Sequence, residues 1–408
     1  MYSFTARFSV AIVIGLIFTF MDTAPAADDK TTPANEVSPA NILSRDSLKN
    51  SRIRFEQSGK GHVAFIGGSI TEMNGYRPML MESLKRRFSK TEFTFTNAGI
   101  SSTCSTTGAF RLQSDVLDKG PVDLLFIEFA VNDDQDAGHA RRECLRGMEG
   151  ILRHARQHNP QMDIVITYFV NEGILKTYGE KKTPLAISAQ EEVADHYHVS
   201  TVHLAREVNE EIAAGKLTWA KYGGVHPAPF GNAICARMID QLLDRNWEKP
   251  LAKNTKTSDY SLPEPLDPLS YSRGHFLDPK EAKIKNGWTL EIPDWKKIKG
   301  STRERFAKIP LLSANEAGAE MSLSFKGTAI GAFVVAGPDA GIVAASIDDG
   351  PFQEVNLYHR YSAGLHYPRT VMFATDLAGG SHSLVLRTAE KTHSAGHSAR
   401  IVQFVVNE

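Results

Sequence analysis

Val63-Ala64-Phe65-Ile66-Gly67-Gly68-Ser69-Ile70-Thr71 runs from four consecutive apolar residues into two glycines, a serine and a polar stretch. An apolar run without alternation suits a strand covered on both faces, as in a parallel sheet. Four similar runs follow: Phe93-Thr94-Phe95-Thr96, Leu124-Leu125-Phe126-Ile127, Ile164-Val165-Ile166-Thr167 and Val199-Ser200-Thr201-Val202. Amphipathic stretches between them predict helices around residues 76–89, 139–158, 186–197 and 229–246. Such alternation argues an α/β fold, a parallel sheet with helices on both faces. In open parallel sheets, functional residues gather beyond the carboxyl ends of the strands. The turn at Gly67-Gly68-Ser69 is one such end.

Outward from this core the character of the sequence changes. Residues 248–270 carry Pro250, Pro263, Pro265 and Pro268 among Lys, Thr and Ser, with no apolar period, and are read as a linker. Over residues 271–408 short alternating runs recur, such as Met321-Leu323-Phe325 and Ile401 to Val406, separated by turn signals including Asp348-Asp349-Gly350 and Gly379-Gly380. That pattern predicts an antiparallel β-sandwich of seven or more strands. At the other end, Arg7 precedes an apolar run from Phe8 to Met21 and then Ala24-Pro25-Ala26-Ala27. The run is shorter than the ~20 residues a bilayer span needs, and the small residues suit signal cleavage. Residues 1–26 are therefore expected to be a secretory signal, 27–50 a flexible leader and 51–247 the α/β domain. Export would make the protein secreted or periplasmic, with no stable membrane insertion after cleavage.

With 408 residues the chain exceeds the ~250 at which single cores stop growing, in keeping with two domains. Its 46 basic and 47 acidic side chains leave a net charge of −1, which gives nucleic acid no electrostatic reason to bind. Cys104, Cys144 and Cys235 form no CxxC pair, and no histidine stands at metal spacing, so no metal and no cofactor are expected. An oxidising compartment permits one disulfide among the three, and the pairing stays open.

The chemistry-bearing residues follow the strands. Ser69 sits just past the first run, where an α/β fold presents a nucleophile, although glycine-serine turns are also common structural turns. The second run ends in Asn97-Ala98-Gly99-Ile100 and the third in Phe129-Ala130-Val131-Asn132-Asp133-Asp134. The Gly99 N–H and Asn132 amide have the chemistry to hold an oxyanion near Ser69; each also has a plain reading, as a loop-entry glycine and a helix cap. His226 lies in the late loop Tyr222-Gly223-Gly224-Val225-His226-Pro227, placed to act as a base.

Taken together, the order Ser69, Gly99, Asn132, His226 resembles the SGNH (GDSL-like) hydrolase superfamily over residues 60–245. The resemblance implies a three-layer α/β/α, flavodoxin-like domain and a metal-free carbohydrate-esterase-like enzyme that cleaves esters through acyl-Ser69. His226 would be the general base, and the N–H groups of Ser69 and Gly99 with the Asn132 side chain the oxyanion hole. One departure matters: the acid usual three residues before the histidine is Gly223 here. A Ser-His dyad with a backbone carbonyl behind the ring is favoured; a displaced acid or lost activity are the other readings. Sandwich domains attached to such esterases resemble carbohydrate-binding modules, so Tyr358, Arg360 and Tyr361 are candidate glycan contacts and an O-acylated, foremost O-acetylated, polysaccharide the expected substrate. A lipase or lysophospholipase-type esterase, or a non-catalytic glycan-binding protein, are the alternatives. The sequence leaves the oligomeric state open.

Overall fold

The five apolar runs form five parallel strands: β2 Lys60–Gly67, β3 Glu92–Gly99, β4 Leu124–Glu128, β5 Asp163–Thr167 and β6 Ser200–Val202. A short β1, Ile42–Leu43, adds antiparallel to β6, giving the order β1-β6-β5-β4-β2-β3. The computed structural model describes residues 37–408 apart from Lys253, so the expected signal and the start of the leader lie outside the described residues. Helices Tyr76–Arg87, Leu204–Ala213 and Pro229–Trp247 pack together on one face, and Ser105–Asp115, Arg141–His158 and Leu185–His196 on the other. This is the three-layer α/β/α arrangement that unbroken apolar strands demand, since both faces of β4 and β5 are buried throughout. Among the described residues no helix is long and apolar enough to cross a membrane.

Two segments differ from their sequence reading. Residues 37–50 are docked rather than loose: β1 closes the sheet edge, and the Asn41 amide donates to Glu207 and Glu210, both at 2.7 Å. Polar composition hid this because the partners are acidic side chains of a helix far along the chain. Residues 248–270 form a pinned strap. Tyr260 donates to Asp163 at 2.6 Å, Leu266 and Asp267 give their N–H groups to Glu149 at 2.6 and 2.9 Å, and Asp267 accepts from Arg146 at 2.8 Å. Buried carboxylates thus satisfy a backbone that has no ladder of its own.

The second domain has eleven strands: β7 Gly274–Leu277, β8 Lys283–Asn286, β9 Trp288–Glu291, β10 Leu311–Ala314, β11 Glu320–Lys326, β12 Ala329–Ala336, β13 Ile342–Ile347, β14 Gln353–Asn356, β15 Tyr367–Ala374, β16 Ser381–Thr388 and β17 Ala399–Asn407. They make two antiparallel sheets, β15-β12-β17-β10-β9 with β7 beside β17, and β14-β13-β16-β11-β8. Every residue of β12 is buried. Ile330, Ala332 and Val334 face the other sheet, while Ala329, Phe333 and Val335 join the core continuous with the α/β domain. The first sheet is therefore a wall shared by the two cores. Trp288 fills the sandwich core, and Asp348 and Asp349 take left-handed conformations at the tip of the β13–β14 hairpin (φ 50° and 58°).

Candidate active site

Gly67 and Gly68 bring the end of β2 against β4 so closely that side chains there are impossible. A Cβ on Gly68 would fall 2.1 Å from Asn132 Oδ1, and one on Gly67 2.7 Å from the Glu128 carbonyl oxygen. Ser69 then opens the one-turn helix Ser69–Glu72, whose first N–H groups have no partner within the helix. Underneath, Thr71 donates to Glu128 at 3.1 Å; burial pushes that carboxyl up to about 7. Arg77 clamps the far end through the Thr71 carbonyl.

His226 Nε2 lies 2.7 Å from Ser69 Oγ. Its loop is held from both sides: Thr218 caps the turn Trp219–Tyr222 at 3.1 Å, and the Asn232 amide donates to the Pro227 and Ala228 carbonyls at 2.6 and 3.1 Å. The outer nitrogen, Nδ1, has no hydrogen-bond partner among the described residues; neither a carboxylate nor a backbone carbonyl stands behind the ring. Partial burial alone pushes the His226 pKa below its ordinary 6.5, with no acidic neighbour to raise it.

Position 223 has no room for the missing acid. Gly223 has φ 105°, and a Cβ there would fall 2.0 Å from the Ala228 N. Gly223→Asp is expected to cost about 1–3 kcal/mol of stability in backbone strain alone. It should also displace the loop, lowering both the melting temperature and ester turnover rather than completing a triad. An active enzyme with an unchanged melting temperature would refute this account of the loop.

Asn132 is buried over Gly68 and gives one amide hydrogen to Asp136 Oδ2 at 2.6 Å; the second remains for a ligand. Gly99 departs from expectation. Its N–H donates to Asn97 Oδ1 at 3.0 Å, and a Cβ would fall 2.3 Å from the Glu72 N, so the glycine serves close packing and its N–H is occupied. Sequence reasoning passed over Ser102, three residues on, which takes a left-handed φ of 74° and whose N–H meets no acceptor among the described residues. A serine among serines and threonines gave no signal of that backbone.

Nor did the sequence show that the second domain reaches this rim. Arg303 donates to the Ser101 carbonyl and Ser102 Oγ, both at 2.8 Å, and Arg305 to Glu72 at 3.1 Å. His359 donates to the Asp136 carbonyl at 2.8 Å and Arg360 to that of Gln135. Of the candidate glycan contacts, Tyr361 is exposed beneath the Arg360 guanidinium (4.9 Å), whereas Tyr358 packs against the sandwich core. A hollow of about 490 Å³ beside the histidine loop is lined by Asp134, Gln135, Asn171, Glu172, Trp219 and Val225, among others.

The cysteines are all free and buried. The fold brings Cys104, Asp133 and His139 together, with one ligand atom of each within 4.8 Å of the others, a convergence that linear spacing did not reveal. The Asp133 oxygens there already accept from the Ser105 N–H and hydroxyl and from Gln190, at 2.7–2.8 Å, so they serve the protein's own donors.

Residues 65–234 match the model of the GDSL-like Lipase/Acylhydrolase family. Two crystal structures of a two-domain esterase (CEX) active on acetylated mannans share the fold across both domains. One, co-crystallised with mannopentaose, is 20% identical with a TM-score of 0.72 over 92% of this chain and 99% of that one. The other is 20% identical with a TM-score of 0.73 over 91% and 99%. No curated protein matches the chain in sequence.

Proposed function

We propose that this chain, a carboxylic ester hydrolase by its GDSL-like acylhydrolase domain at residues 65–234, is an exported serine esterase that removes O-acetyl groups from a polysaccharide. The observation that carries the reading is the 2.7 Å pair of Ser69 Oγ and His226 Nε2, beside a hollow whose wall combines Asp134, Gln135, Asn171 and Glu172 with Trp219 and Val225. A long acyl chain would want an apolar groove; a sugar wants hydroxyl partners and an aromatic face. The fold shared with an esterase active on acetylated mannans supports the same substrate class.

In this reading Ser69 Oγ gives its proton to His226 Nε2 as it attacks the acetyl carbon. The tetrahedral oxyanion is held by the Ser69 N–H and the free hydrogen of the Asn132 amide, with the Ser102 N–H the third donor in place of Gly99. His226 next protonates the departing sugar oxygen, leaving acetyl-Ser69. It then takes a proton from water, which attacks the ester and frees acetate. The imidazolium that forms twice per turnover has no hydrogen-bond partner at Nδ1 among the described residues. In this reading the pair works as a dyad, with no third partner among the described residues.

Acetate release from acetylated mannan and acetylated xylan, set against hydrolysis of long-chain 4-nitrophenyl esters, tests the substrate class; preference for the long chains would overturn it. Asn132→Ala should lower kcat about 10²–10³-fold with little change in KM, since the donor acts on charge present only in the transition state. A rise in KM with kcat intact would remove Asn132 from the oxyanion hole.

A further inference from the structure

We infer that the cavity between the two domains is a carboxylate-binding subsite centred on Arg369, which selects acetylated glycans carrying a uronic acid near the ester; this rests on the esterase reading above. The cavity measures about 350 Å³, and its walls include Ser102, Cys104, Thr106 and His139 from the hydrolase domain and Tyr367 and Arg369 from β15. That volume is at the lower end of small-molecule sites, roughly 300–1,000 Å³.

Arg369 is half-buried there, yet its guanidinium has no hydrogen-bond acceptor, carboxylate or aromatic face among the described residues. Burial pushes its pKa down, and only the Cys104 thiol and the Tyr367 hydroxyl stand near enough to oppose that. Tyr367 is itself pushed up by burial and is uncharged. A desolvated cation without a counter-charge is costly, and folded proteins pair such groups. The carboxylates on the cavity wall are already used. Glu143 accepts from Thr106 at 2.8 Å and from Tyr271 at 3.0 Å. Asp136 accepts from Asn132 at 2.6 Å and lies in the field of Arg303 and Arg360.

The missing partner is an anion from outside. A guanidinium fork matches the planar, two-oxygen geometry of a carboxylate. Asp136 forms part of the cavity wall and holds Asn132, so the cavity adjoins the oxyanion side of Ser69. A group bound there belongs to the same glycan as the ester being cleaved. Carboxylates enter polysaccharides as uronic acids, which names the substituent.

The test compares O-acetylated glucuronoxylan oligosaccharides with the same preparation after carbodiimide coupling to ammonia has turned its carboxylates into neutral amides. For the wild-type chain kcat/KM should fall about tenfold or more on amidation, mainly through KM, as expected for loss of a charge-assisted bidentate contact. In Arg369→Gln the ratio between the two substrates should collapse to about one; Arg369→Lys, which keeps the charge without the fork, should fall between. Because the readout is a ratio within each variant, lower overall activity does not move it, and Arg369→Lys decides the matter should the Gln variant not fold. Equal rates on both substrates in the wild type, or a preference that survives in Arg369→Gln, overturns the subsite. If the wild type cleaves 4-nitrophenyl acetate but frees acetate from neither glycan, the polysaccharide reading itself fails and this inference falls with it.

Discussion

Ser69→Ala is expected to abolish acetate release, with kcat lower by about 10⁶-fold, while the melting temperature stays at the wild-type value. The size of the effect follows from chemistry: among the described residues His226 Nε2 meets no nucleophile but Ser69 Oγ, at 2.7 Å. Stability should hold because the hydroxyl makes no other hydrogen bond among the described residues, and the turn is fixed by the close approach of Gly67 and Gly68 to β4 and Asn132. The small rate that survives over water would come from binding and the oxyanion donors. Acetate assays with differential scanning calorimetry check both halves. Activity within about tenfold of wild type would show that ester cleavage runs elsewhere. Combining Ser69→Ala with His226→Ala should add almost nothing, because residues that act as one unit lose their effect together.

The α/β domain was legible because its signal is local. Runs such as Leu124 to Ile127 are buried on both faces, and a two-sided burial leaves an apolar stretch that needs no partner to be recognised. The helix Ser105–Asp115 escaped for the converse reason. Its residues Ser105 to Leu112 are all buried, between the sheet and the second domain, so there is no polar face to set a period, and its Ser-Thr-Thr-Gly opening has poor helix propensity. In the second domain the long strands were visible, whereas β8, Lys283–Asn286, has four exposed residues and owes its place to pairing with β11. Docking of residues 37–50 and of the strap at 248–270 rests on carboxylates such as Glu207 and Glu149, brought together only by the fold.

The turns that bring Ser69, Asn132 and His226 together in the candidate site were legible because each lies on a short stretch whose turn chemistry shows in sequence. Gly99 could not be judged that way. Whether a glycine N–H is free depends on its neighbours, and here the Asn97 side chain two residues back takes it. Arg303, Arg305 and Arg369 stand some 200 residues or more from the loops they touch or face. No linear motif joins them, and a cation without a partner is a property of packing, not of composition.

His226→Ala should lower kcat by about 10⁴-fold or more, and the pH profile of the parent enzyme should show why. Only the neutral imidazole accepts the serine proton, so activity falls as acid converts the ring to imidazolium. Partial burial favours the neutral form and, with no carboxylate partner at Nδ1 among the described residues, holds the ring below its ordinary 6.5. The acidic limb of kcat/KM should therefore have its midpoint below pH 6.5, and the enzyme should stay active in mildly acidic solution where a histidine paired with a carboxylate would already be protonated. The proposed mechanism supplies a reason for tolerating this. Without an acid to stabilise it, the imidazolium is a weaker store of the proton, but it is also a stronger acid toward the departing sugar oxygen. A limb centred above pH 7 would require a hidden carboxylate partner and would replace the dyad with a triad.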